Sequence, residues 1–381
     1  MALLTFLASL GTGIVWNALY FIAERTHGFD QKSSLILAFA NGVLYTGVAL
    51  RAGWTVRLLE RRMSPRAALG VVLLAQALLA PLVVIVPTEG VFWFVALTIT
   101  GLGALQWPIV QHYLVSGRHG ADMRNTIGWW NASWMLATAV GLAATGPLER
   151  YGLIEWAIPS LLPIYLLAYG CLLLFPRHPP AHDLDEQARH VPGSYRSLLA
   201  SSRILHPMGY LAIGALAPIL PYLFEHLKTQ KEWQAPLGSV WHLARLAAVL
   251  VLWRTAFWHG RATTLVVAGV LLASGFAVAV ASPSESALVV GLLALGAGQG
   301  IIYYNAIYYG LAVGAAEVDA GGIHEALVGA GYFVGPMLGL VALSLGHGPP
   351  VFIGLVLGAL AVGFVAAIVR GRLAAATVTR A

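Results

Sequence analysis

Glu325, with His324 before it, opens one long apolar run of this chain, and Arg245, with His242 three residues earlier on the same helical face, stands inside another. A carboxyl group in such a run is suited to act as a protonation switch, because neutralising it removes most of the cost of passing through a dry environment. An acid placed to favour a helix N-terminus explains Glu325 as well. His324 and His112 are the further proton-handling candidates. A guanidinium at that depth is permanently charged and needs an anionic partner or water. For Arg245 the partner is either a carboxylate of the chain, Glu225 or Glu325, or an anionic group of a ligand, with the internal partner favoured although both acids lie toward helix ends.

Amides and aromatic rings form a second group. Leu102-Gly103-Ala104-x-Gln106 returns as Leu295-Gly296-Ala297-x-Gln299, at an offset of about half the chain. The repeat puts Gln106 and Gln299 at equivalent mid-run points, where an amide both donates to and accepts from a polar solute. Hydrogen bonding to a neighbouring helix is the alternative. Tyr303, Tyr304 and Tyr308 offer ring faces beside Gln299. Asn17, Tyr20 and Glu24 share a face at helical spacing, Tyr210 stands in a run ending with Tyr222, Glu225 and His226, and Asn131 lies among Trp129, Trp130 and Trp134. For those tryptophans, anchoring at the membrane interface competes with a binding role.

The elements that must position these residues are membrane helices. Hydrophobic residues make up 59% of the 381 positions and charged residues 10%, far below the roughly 25% charged of a soluble domain. Apolar runs of bilayer length are drawn at 2–22, 34–54, 67–86, 90–115, 126–148 and 153–175, then 204–226, 236–256, 263–281, 286–311, 322–346 and 349–370. The expected fold is therefore all-α integral membrane, with twelve transmembrane helices in two pseudo-symmetric six-helix bundles. The bundles are 1–176 and 204–381, joined by a polar linker at 177–203 that contains His182, Asp183, Asp185 and Glu186. A short surface helix near Ser197-Leu198-Leu199 is the structure the linker permits.

The net charge of +6 and pI near 9.5 do not come from one patch. Most Lys and Arg residues fall in the loops on one side, as at Arg51, Arg57, Arg61, Arg62 and Arg66, which is the positive-inside pattern. It places both termini in the cytoplasm of a multi-pass protein of the cell (inner) membrane and speaks against nucleic acid as a partner. The single cysteine, Cys171, excludes an internal disulfide, and the first run reads as an uncleaved helix rather than a signal peptide.

With this layout the chain resembles the major facilitator superfamily. The loop that in this family carries Gly-x-x-x-Asp-Arg-x-Gly-Arg-Arg reads here Gly53-Trp54-Thr55-Val56-Arg57-Leu58-Leu59-Glu60-Arg61-Arg62-Met63-Ser64-Pro65-Arg66. Glu60-Arg61 stands for the acidic-basic pair and Arg66 for the later basic residue, while Ser64-Pro65 replaces the second glycine region. The resemblance implies a latch on the cytoplasmic side formed by Glu60, Arg61 and Arg66, and a central cavity lined by spans one, four, seven and ten. A topology signal explains the arginines equally well. The antiporter signature of the family is matched better by Gly331-x-x-x-Gly335-Pro336-x-x-Gly339 in span eleven than by Gly141 and Gly146-Pro147 in span five. That stripe suits close helix packing, and sliding between the bundles is its second reading.

Together these observations imply secondary active transport of a small organic solute by alternating access, with a proton as coupling ion, no cofactor, no metal and a working monomer in the bilayer. Asn17, Tyr20, Gln106, Asn131, Tyr210, Arg245, Gln299, Tyr303, Tyr304 and Tyr308 are the expected solute contacts, and a neutral polar or amphipathic solute such as a sugar, a nucleoside or a mixed aromatic compound is the expected class. No Gly-x-x-x-x-Gly-Lys-Ser/Thr motif for ATP is present. An integral-membrane enzyme is the alternative, built around His112, Arg118, His119, Asp122 and Arg124, where no nucleophile elbow or metal-spaced His pair is found. A receptor or assembly protein on the same fold is the third reading.

Overall fold

The computed structural model describes residues 1–118, 120–180, 192, 194–313, 318–346 and 348–378. His119 and the linker residues His182, Asp183, Asp185 and Glu186 lie outside the described residues. Among the described residues twelve long helical elements follow one another: α1 (Ala2–His27), α2 (Gln31–Leu50), α3 (Pro65–Ile85), α4 (Glu89–Val115), α5 (Gly120–Ala143), α6 (Ile154–Leu172), α7 (Ser194–His226), α8 (Lys231–Arg254), α9 (Thr263–Val280), α10 (Glu285–Val313), α11 (Val318–Ser344) and α12 (Pro349–Val378). All but α5 pass as membrane spans on length and hydropathy. Trp129, Trp130, Asn131 and Trp134 lower the apolar character of α5, and two of these tryptophans face the interior site described below.

Helix is the form these runs must take, because lipid offers no partner for a backbone N–H or C=O. Their ends are set by local chemistry. Gly28 takes a left-handed φ of 65° to stop α1, and the Asp30 carboxylate accepts from the Ser33 N–H at 2.7 Å to start α2. That hydrogen bond holds the Asp30 carboxyl below the usual carboxylate range. Ser64 with Pro65 starts α3, and Thr88 caps α4.

The helices form two groups, α1–α6 and α7–α12. Across the boundary α2 packs along α11 and α5 along α8, and exchanging the halves, α5 for α11 and α8 for α2, turns the second pair into the first. The duplication seen in the sequence therefore extends to the packing. α7 begins well before position 204: Tyr195, Leu198, Leu199 and Ser202 are buried, so the stretch that could have been a separate surface helix is the first part of a membrane helix. The span-eleven stripe touches both groups, since a Cβ at Gly339 would meet Leu35 of α2 across the boundary. A Cβ at Gly331 would meet Tyr210 and Leu211, and one at Gly335 would meet Ala215, all in α7. The groups also approach closely at Gly42 of α2, where a Cβ would meet the backbone of Tyr332 and Phe333.

Candidate solute cavity

Between the two groups lies a cavity with about 70 Å³ of room for the centres of water-sized molecules, enough for several waters or a small solute. Its wall includes Asn17, Tyr45, Trp134, Tyr210, Arg245, Tyr303 and Glu325. α1 contributes through a local defect: Ile14–Ala18 form a π-helical turn, and Trp16 and Asn17 within it both face the cavity. Such a turn inserts a residue into the helical repeat and re-aims the side chains that follow, which is why it recurs at functional sites.

The Arg245 side chain is buried, at 2% exposure. Its guanidinium stands 4.1 Å from the Trp134 ring centroid and 5.0 Å from that of Tyr303, and Nη2 donates to the Tyr210 hydroxyl at 2.9 Å. Cation–π contact with several rings offsets part of the cost of burying the charge. Among the described residues no carboxylate lies within ion-pair distance of it. Glu225 is exposed at the end of α7. Glu325 lines the same cavity but is otherwise engaged: Tyr45 donates to Oε2 and Gln111 donates to Oε1, each at 2.5 Å. The internal partner expected for Arg245 is thus replaced by aromatic rings and one hydroxyl. Trp134, from the opposite group, is held in place by donating Nε1 to Asn131 at 2.8 Å.

The other anticipated residues fall into distinct surroundings. Asn17, Tyr210, Arg245, Tyr303 and Glu325 come together at the cavity. Gln106 and Gln299 are buried at 1% exposure but do not line it, and Gln299 packs beside Gly209 of α7. Asn131 acts on Trp134 and bonds the Ile127 carbonyl. Tyr20 is buried between α2 and α7, beside Ala38 and Ala217. His324 stacks on His206 with centroids 4.3 Å apart, next to Tyr303, and His112 is half-buried on α4. The cavity also takes residues that no polar pattern had singled out, notably Tyr45 on α2 and Tyr332 on α11. The available signal was an aromatic ring far from either end of an apolar run, the same one that picked out Tyr303.

Contacts between the groups close both sides of the cavity. On the side of the termini, Trp253 of α8 packs edge-on against Trp129 at 5.1 Å and donates to Asn125 at 3.4 Å. Tyr304 and Tyr308 lie on this side too, in a ring cluster within the α7–α12 group with Trp258, His259 and Tyr195. Tyr195 and His259 Nδ1 share a hydrogen bond at 2.9 Å, and burial, with nearby Arg124 adding to it, holds the His259 imidazole below its usual range. On the far side, Arg25 pairs with Glu24 and, at 3.3 Å, with Glu149, and it donates to Gln234 of α8 at 2.7 Å. Tyr222 of α7 bonds Ser34 and the Phe29 carbonyl, both at 2.8 Å.

Of the anticipated latch, Arg66 donates to the Phe175 carbonyl at 2.7 Å and the Leu173 carbonyl at 3.4 Å. It caps the C-terminal end of α6 inside its own group, where the helix dipole favours a cation. Glu60 and Arg61 are exposed.

Two like helical groups in a multi-pass membrane protein, in contact on both sides of a largely aromatic-walled cavity that holds Arg245 and Glu325, define a chain with the build of a membrane carrier. Its family follows from the sequence match: a model described as Major Facilitator Superfamily covers residues 1–320, and the chain belongs to that superfamily. Similar solved structures include the human organic anion transporter MFSD10, with 14% identity, TM-score 0.69 and coverage of 96% of this chain and 97% of that one. The E. coli fucose:proton symporter FucP has 14% identity and TM-score 0.60 over 97% of both chains. The nucleoside transporter NupG has 13% identity and TM-score 0.65 over 97% of this chain and 96% of its own. At these identities the likeness is one of fold. A search of curated proteins gives no match.

Proposed function

We propose that this protein is a secondary active transporter that carries a small organic solute through the α2/α5/α8/α11 boundary by alternating access, with protons as the coupling ion. The observation that carries this reading is the way two buried charged residues of one group, Arg245 and Glu325, each touch the other group at the wall of the same closed cavity. Movement of one group against the other must break those contacts, so whatever neutralises or engages them changes which side opens. Glu325 suits a proton: a carboxylate is the better acceptor for Tyr45 and Gln111, and protonation takes one oxygen out of that role. The organic anion, fucose:proton and nucleoside transporters of the same fold support a small organic cargo.

The basic loops support an orientation with both termini in the cytoplasm of the inner membrane. The group boundaries near 176 and 204 and a role for Arg66 in bracing the α1–α6 group belong to the same proposal. Uptake and counterflow of a broad solute panel in proteoliposomes, with and without an imposed pH gradient, test it. Flux of at least one solute, accelerated by the gradient, is the expected result; saturable binding with no flux of any solute refutes transport.

A further inference from the structure

We infer that the cavity binds a small monocarboxylate with an apolar or aromatic body, its carboxylate seated on the guanidinium of Arg245. This rests on the reading of the cavity as the transport site. A buried guanidinium is expensive unless its N–H groups and its charge are both met. Here Nη2 has the Tyr210 hydroxyl, whereas Nε is buried with no hydrogen-bond partner. Trp134, Tyr303, Tyr210 and Trp241 meet the charge through their rings, not through an anion. The titratable side chains around it are His242 on its own helix, bonded to Thr138 at 3.3 Å, and His206 of α7 stacked on His324 of α11; none supplies a permanent negative charge. Glu325 shares the cavity, but both of its oxygens are turned onto Tyr45 and Gln111.

The number of charges sets the class. Arg245 is the lone Lys or Arg among the residues that line the cavity, and Glu325 already supplies one carboxyl there. One planar fork matches the two oxygens of one carboxylate. A phosphomonoester would bring a second negative charge with no second cation to receive it. The rest of the wall sets the body of the ligand: Trp16, Trp107, Trp130 and Tyr332 present ring surface, with Asn17, His242 and the hydroxyls of Ser9, Thr12 and Thr138 as a sparse polar complement. That is a poor match to a polyhydroxylated sugar, which loses its water only if most of its hydroxyls find new partners.

The test uses the full chain in lipid nanodiscs with radiolabelled benzoate as probe, and phenylacetate, hexanoate, benzamide, benzyl alcohol and phenyl phosphate as competitors. Saturable benzoate binding is expected, with the carboxylates competing at least tenfold better than the amide, the alcohol and the phosphate. Arg245→Gln should weaken benzoate at least tenfold and erase the preference, while Arg245→Lys, which keeps the charge but not the fork, should keep a reduced preference. Thermal melting checks that each variant is folded, and the lysine variant serves alone should the glutamine variant fail to fold. Amide competing as well as acid, no binding by any carboxylate of the series, or a preference in wild type that Arg245→Lys leaves unchanged overturns the inference. Counterflow in proteoliposomes separates the two proposals. Flux of neutral solutes without any carboxylate preference overturns this inference and leaves transport standing; carboxylate-selective, Arg245-dependent binding with no flux supports this inference and removes transport.

Discussion

Replacing Tyr45 with phenylalanine removes one hydroxyl and leaves the ring that packs edge-on against Trp16 at 5.1 Å. The lost group donates to Glu325 across the boundary between the helical groups, on the half of the molecule that carries the termini. A hydrogen bond to a charged group contributes about 1.5–3 kcal/mol. The bond exists only while the two groups are in contact there, so its loss falls on the closed state and shifts closed against open by roughly 10- to 100-fold.

The readout is the modification rate of a reporter cysteine at the cavity, Thr12→Cys, by a membrane-impermeant maleimide applied from the side of the termini. Cys171 is the single native cysteine, so Cys171→Ser supplies a clean background. Tyr45→Phe should speed labelling by about tenfold or more, up to the point where the open state dominates, and Gln111→Leu should act in the same direction. Rates within twofold of the parent in both variants would refute the idea that the carboxylate bonds hold this side closed.

Three further outcomes are expected. Glu325→Gln should retain counterflow of solute but lose acceleration by a pH gradient, measured in the same proteoliposomes; gradient-driven uptake at the parental rate would assign coupling elsewhere. Burial, with Arg124 of α5 across the boundary adding to it, holds His259 below its usual range, and the imidazole returns to about 6.5 when parting of the groups exposes it. The open state therefore binds the proton more readily, so closure is fully favoured above about pH 6.5 and weakens as pH falls through that value toward the lowered one. Labelling of the reporter should rise between pH 8 and pH 5.5, and His259→Gln should flatten the profile; a profile unchanged by the substitution would contradict this. Gly42→Val should cost about 1–3 kcal/mol through overpacking, because a Cβ there meets the Tyr332 and Phe333 backbone; an unchanged melting temperature in detergent would show that the α2–α11 approach yields.

Much of the fold could be read in the chain because lipid imposes one rule on every segment: an apolar run of bilayer length must be a helix with its backbone bonds satisfied internally. The Leu-Gly-Ala-x-Gln repeat extended that rule to two like halves. Five anticipated site residues, Asn17, Tyr210, Arg245, Tyr303 and Glu325, meet at the cavity because a costly polar group at membrane depth has few stable places to go. The symmetric glutamines share that depth but not that wall, since depth along a helix is written in the sequence while rotation about its axis is not.

The sequence by itself determined the number of helices, their order and the depth at which each polar group lies, since these depend on run length and transfer cost alone. Only the tertiary structure decided which groups meet. It gave Glu325 to Tyr45 and Gln111, left Arg245 among aromatic rings without a carboxylate, and turned Asn17 inward through a π-helical turn. Those pairings depend on helix rotation and on contacts between residues 35 to 280 positions apart, which local pattern does not encode.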